Sequence, residues 1–130
     1  MRNAIFLLVS LATLVQFGCL GSGPRREDFD KADFGSYPSN HMQLIQDRLS
    51  QVLIDPGSVQ NLRSSEPKPM WIQPMFVDPV VYGYGCWFSY NAKNRYGGYV
   101  GQKTYFAFFR NGQLLRTIED RYMVGAGERP

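Results

Sequence analysis

Val80–Ala92 reads VVYGYGCWFSYNA, and its alternation decides the fold. Read as a strand, it places Tyr82, Tyr84, Cys86, Phe88 and Tyr90 on one face. Val81, Gly83, Gly85, Trp87 and Ser89 fall on the other, because successive side chains of a strand point to opposite sides. A half-buried face of this kind suits an antiparallel sheet with a helix on one side. The two glycines leave room for an aromatic ring or another element to lie close over the backbone.

Downstream, KTYFAFFR (Lys103–Arg110) and QLLRTIE (Gln113–Glu119) flank Asn111-Gly112. Asn-Gly between two strand-like runs predicts a tight hairpin, since a type I′ turn needs positive φ at both central residues. Between this hairpin and Val80–Ala92 lies YNAKNRYGGYVG (Tyr90–Gly101). Asn91, Asn94, Gly97 and Gly98 can take the positive-φ angles that a connection between neighbouring strands requires. Turn chemistry alone does not call for Lys93, Arg95, Tyr96 and Tyr99. Rigid tyrosines beside cations serve protein and glycan contacts. Asn91, Lys93, Asn94, Arg95, Tyr96, Gly97, Gly98 and Tyr99 therefore form the candidate binding loop, with a plain connector as the other reading.

Upstream, SNHMQLIQDRLSQVLIDPGS (Ser39–Ser58) predicts a helix. Ser39 or Asn40 can cap its start. Met42, Ile45, Leu49, Val52 and Leu53 form one apolar stripe, and Asp55-Pro56-Gly57 stops it. Ser58–Arg63 is read as a short strand, SSEPKP as a loop, and Met70–Val77, broken by Pro74, as at best an edge strand. The expected fold class is α+β: one amphipathic helix packed on a three- to four-stranded antiparallel sheet, spanning residues 38–120, with 121–130 a flexible tail.

The amino terminus, MRNAIFLLVSLATLVQFGCLGSG, has the parts of an export signal. Arg2 gives a positive start, Ala4–Phe17 an apolar run, and Gly18-Cys19 a small-residue exit. The run has 14 residues, short of the roughly 20 that span a bilayer. Cys19 directly after Gly18 resembles a bacterial lipoprotein signal, in which the cysteine receives lipid and becomes the first mature residue. Such signals carry Leu three positions before the cysteine, where this chain has Gln16. Cleavage after Gly18 or Gly21 by an ordinary signal peptidase stays open, as does an uncleaved anchor. Residues 1–18 are read as signal peptide and 19–37, Gly- and charge-rich, as a tether. More than one acyl chain is needed for stable attachment.

The helix ending in Leu53-x-Asp55-Pro56-x-Ser58, followed by Tyr82-Gly83-Tyr84-Gly85, Asn91-Ala92-Lys93-Asn94, Tyr96-Gly97-Gly98-Tyr99 and Gly101, resembles a group of small bacterial envelope proteins, many of them predicted lipoproteins. The resemblance spans Ile45 to Phe109. It implies an envelope location and a role for the loop, and it carries over no catalytic residue.

Composition narrows the function classes. A net charge of +3 over 130 residues lacks the dense basic patch of a nucleic-acid binder. With one histidine and two cysteines, a zinc site lacks ligands. The acidic residues show no paired glycosidase spacing, and Gly83 and Gly85 lack the rest of a dinucleotide motif. No cofactor, metal or catalytic residue is expected, although a Cys86–His41 pair is conceivable. The expectation is a non-catalytic binding or assembly module held by lipid through Cys19 on the outer membrane, facing the periplasm. Its partner would be another envelope protein or a cell-wall component. The alternative is a soluble secreted or periplasmic inhibitor or immunity-type protein, for which a Cys19–Cys86 disulfide would be available.

Overall fold

The computed structural model describes residues 23–75, 77–119 and 125–130. The expected signal peptide, Cys19, and residues 120–124 lie outside the described residues. Helix α1 covers Arg26–Asp30 and α2 His41–Val52. The strands are β1 Gln60–Ser64, β2 Lys68–Ile72, β3 Val81–Asn91, β4 Lys103–Arg110, β5 Gln113–Glu119 and β6 Ala126–Gly127. All pairings are antiparallel, in the order β5-β4-β3-β2-β6. The class is α+β as expected, but the sheet has six strands rather than three or four.

The extra strands come from two sequence features that hide pairing. β1 and β2 lie along the same edge of β3: Gln60–Ser64 pairs with its far half, and Lys68–Ile72 with Val81–Gly85. Together they resemble one long strand interrupted at 65–67. Ser65 carries the ladder across the gap, its backbone N–H donating to the Trp87 carbonyl at 2.8 Å. Its hydroxyl accepts the Trp87 N–H at 3.0 Å, standing in for a main-chain carbonyl. β2 is also not an edge strand, because β6 covers its outer side at Trp71 and Ile72. Pro74 lies beyond its end, so no ladder bond is lost there.

β3 divides the interior in two. Its Cys86, Phe88 and Tyr90 pack under α2 with Ile45, Leu49, Ala107 and Phe109. Val52, expected in the helical stripe, is exposed, and Leu44 packs against this core instead. Asn40 is the N-cap residue, but no side chain bonds the first helical amides. On the opposite face Phe106 and Phe108 are fully buried among Met70, Ile72, Val81, Trp87, Ile118 and Ala126. β5 and β6 stand four strand positions apart, ~19 Å in a flat sheet. Yet Ile118 of β5 and Ala126 of β6 share this cluster, so the sheet curls over that face.

The glycines of β3 admit the two rings. A Cβ at Gly85 would lie 2.6 Å from the Phe106 ring and 2.6 Å from Met70 Sδ, and one at Gly83 would lie 2.7 Å from Phe108 and against the Phe109 carbonyl. Asn111 and Gly112 have φ of 51° and 73°, as the Asn-Gly hairpin requires.

Residues 23–38 are not a free tether, and residues 125–130 are not a free tail. Phe29 of α1 is 5% exposed and meets Phe34 and Tyr82 edge-on. Arg110 donates from Nη1 to the carbonyls of Asp33 and Tyr82. Asp30 pairs with Arg129 at 2.6 Å, and that hydrogen bond holds the Asp30 carboxyl below its ordinary range. The charge-rich composition suggested a spacer, but two phenylalanines supply burial worth ~1.5–3 kcal/mol when a ring is fully covered. With the Arg110 and Arg129 contacts they help hold the segment on the sheet.

Gly83→Ala is expected to destabilise the fold by about 1–3 kcal/mol through overpacking. Gly98→Ala, whose Cβ would meet nothing nearer than 3.9 Å, is expected to be close to neutral. Urea unfolding of both variants checks this, and equal midpoints would refute the packing account.

Candidate functional site

The loop between β3 and β4 is an ordered miniature hairpin. Lys93 and Tyr99 form an antiparallel bridge, and Asn94 closes the turn beyond it. The Asn94 N–H donates to the Gly98 carbonyl at 2.9 Å, and the Gly97 N–H to the Asn94 carbonyl at 3.0 Å. The Asn94 side-chain oxygen accepts the amides of Tyr96 at 2.9 Å and Gly98 at 3.2 Å. At the loop's exit Asn91 Oδ1 accepts the Gly101 N–H at 3.1 Å.

These bonds change the reading of the turn residues. Asn91, Asn94 and Gly98 do not adopt positive φ; Gly97 and Gly101 do, at 80° and 92°. The asparagines instead supply acceptors to free loop amides, the other reason such residues favour turns.

The loop is tied down on its inner side and open on its outer side. Ala92 is buried. The Lys93 N–H donates to the Ser58 hydroxyl at 3.0 Å, and that hydroxyl donates to the Asp55 carbonyl at 2.7 Å. Tyr96 is 80% exposed, and Tyr99 and Val100 are also exposed. Each tyrosine carries its own cation: Lys93 Nζ lies 5.5 Å from the Tyr99 ring centre, and Arg95 Cζ 4.9 Å from that of Tyr96. The eight expected loop residues thus form one unit, with cation–aromatic pairs presented on a bonded frame.

Elsewhere the chemistry is sparse. Cys86 is 1% exposed, its Sγ accepts from the Ser64 hydroxyl at 3.3 Å, and burial pushes the thiol's pKa up. That environment favours an inert neutral thiol over a nucleophile. Among the described residues no group of three or more His, Cys, Asp or Glu could hold a metal ion. No helix among them is long and apolar enough to cross a membrane.

Sequence reading missed a second concavity beside the loop. Arg63, Ser89 and Thr104 stand in one row across β1, β3 and β4, on the face opposite α2. With Ser64, Ser65 and Trp87 they line a hollow of about 310 Å³, continued by Asn61 and Gln102. The available signal was Ser89 sharing a strand face with Trp87. Its strand partner Arg63 could not be known without the register. No family model, curated protein or solved structure matches the chain.

Asn94→Ala removes the acceptor for two loop amides and is expected to raise hydrogen exchange at Tyr96 and Gly98 by about tenfold or more. Its expected cost to global stability is under about 1 kcal/mol, because the frame is local. Asn94→Asp, which keeps the acceptor, should retain protection. Unchanged exchange in the Ala variant would show that the frame does not depend on this side chain.

Proposed function

We propose that the chain is a bacterial envelope lipoprotein, anchored in the outer membrane through acyl chains on Cys19 and facing the periplasm. It acts there as a non-catalytic binding or assembly module. The supporting observation is the polarity of the fold. Gly23 approaches the ring of Trp71, which pairs with Tyr82 at the start of β3. The candidate loop leaves the other end of that strand. β3 has 11 residues, so ~35 Å separates the two ends.

Only Leu20, Gly21 and Ser22 separate Cys19 from Gly23, a reach of at most ~14 Å. Because α1 and the segment after it are packed on the sheet, the leash is short. A lipid at Cys19 would seat that end of the globule at the bilayer and aim Tyr96 and Tyr99 away from it. Charge supports a contact role: between Asp78 and Glu119 no acidic residue occurs, while Lys93, Arg95, Lys103, Arg110 and Arg116 do. The partner is another envelope protein or a cell-wall component with acidic character. The secreted inhibitor reading is less favoured, because its Cys19–Cys86 bridge would need a sulfur that lies in the core.

In the producing cell, Cys19→Ser is expected to move the protein from the detergent-extractable membrane fraction to the soluble fraction. Replacing Lys93, Arg95, Tyr96 and Tyr99 together by Ala or Ser should leave the fold and the anchor intact and abolish in-cell crosslinks from a photoreactive residue at Gly98. Membrane retention of the Cys19→Ser variant would overturn the anchor. Undiminished crosslinks would overturn the loop assignment.

A further inference from the structure

The row Arg63, Ser89 and Thr104 runs across β1, β3 and β4. We infer that the hollow it lines is a carbohydrate subsite for a sugar unit bearing a carboxylate. The inference deepens the proposed function by naming the class of cell-wall chemistry the domain would recognise, and it rests on that envelope reading.

The site combines the three contacts an acidic sugar needs. Trp87 lines the hollow, and Phe106 packs against its ring at a centroid distance of 5.3 Å. A half-buried, supported indole offers its negative π face to the slightly positive C–H groups of a pyranose. Ser65, Ser89 and Thr104 line it as well; the Ser65 hydroxyl accepts the Trp87 N–H and the Ser89 hydroxyl accepts from Gln102, so both keep an O–H to donate to a sugar oxygen.

Arg63 supplies the charge. It has no ion-pair partner among the described residues, and neither hollow contains an acidic lining residue. Glu66, the acidic residue nearest in sequence, is instead bonded by the Tyr37 hydroxyl at 3.0 Å. A guanidinium left unpaired in a hollow without anions is complementary to a carboxylate, which it can hold through two parallel N–H donors.

The rim is fixed by the fold. Asn61 adopts φ of 53° at an irregularity in the β1–β3 register, which turns its carbonyl towards Gln102. Gln102 Nε2 donates to that carbonyl at 3.2 Å and to the Ser89 hydroxyl at 3.0 Å. Gln102 directly follows Gly101, so the same residue closes the hollow and ends the candidate loop.

The test is calorimetric titration of the full chain, purified in detergent, with two disaccharides. One is N-acetylglucosaminyl-N-acetylmuramic acid, which carries a free carboxylate; the other is neutral di-N-acetylchitobiose. Saturable binding of the acidic sugar is expected, at least fivefold tighter than of the neutral one. Arg63→Ala, an exposed substitution outside the core, should weaken the acidic sugar about tenfold and leave the neutral one unchanged. Thr104→Val should weaken both. Equal affinity for the two sugars, an unaffected Arg63→Ala variant, or no saturable heat at ~10 mM would each overturn the assignment. Equally tight competition by triglutamate would overturn it in favour of an acidic peptide. The measurement reads the hollow whether or not Cys19 carries lipid, so failure of the anchor and failure of the subsite are separate results.

Discussion

Two side-chain-free positions on one strand make this architecture possible. Gly83 and Gly85 let the rings of Phe108 and Phe106 lie directly on the β3 backbone. A small domain of this length has few ways to bury large surfaces on both sides of a sheet, because the described residues hold one helix longer than five residues. Here the helix covers one side and the sheet's own curl covers the other. The rings can sit low enough for β5 and β6 to approach over them only because no Cβ intervenes. Val, Ala or Ser at either glycine would lift a ring, open the curl and expose the second core.

The same curl gives the molecule two unlike ends. At one, the amino- and carboxy-terminal segments meet over Trp71, whose Nε1 donates to the Glu128 carbonyl at 3.2 Å, and Asp30 pairs with Arg129. At the other, the chain spends 11 residues on a loop that buries only Ala92. Connections that bury little yet bond themselves this fully are commonly held ready for contact. The amides of Asn94, Tyr96, Gly97, Gly98, Val100 and Gly101 are bonded within the loop or to Asn91, which limits the backbone entropy lost when a partner docks on its tyrosines.

Local pattern made much of this legible. The face alternation of β3, the role of its glycines, the Asn-Gly hairpin and helix α2 all follow from short-range rules and stand in the structure. What was hidden depends on pairing between distant segments. β2 contains Pro69 and follows a Ser-Ser-Glu-Pro run, which reads as a loop until Ser65 is seen replacing a ladder carbonyl. β6 is two residues long and gains its identity only from β2. The segment holding Phe29 and Phe34 is charged enough to read as a spacer, since composition does not reveal that Tyr82, Tyr84 and Arg110 wait to receive it. Of the candidate site, the loop was visible by composition and its internal bonding was not. The Arg63–Ser89–Thr104 row was invisible for the same reason as β2: it exists only in the register.

On the proposed function, lipid at Cys19 would hold one end of this globule and leave the polar, aromatic loop at the other. That anchor is the central claim, because the proposed orientation of the loop rests on it. Intact mass of the mature chain recovered from its native cell tests it directly. The account requires a chain beginning at Cys19 and heavier than its amino acids by a diacylglyceryl group, with or without a third acyl chain. A mass equal to the unmodified chain, cut at Gly18 or Gly21, would contradict it.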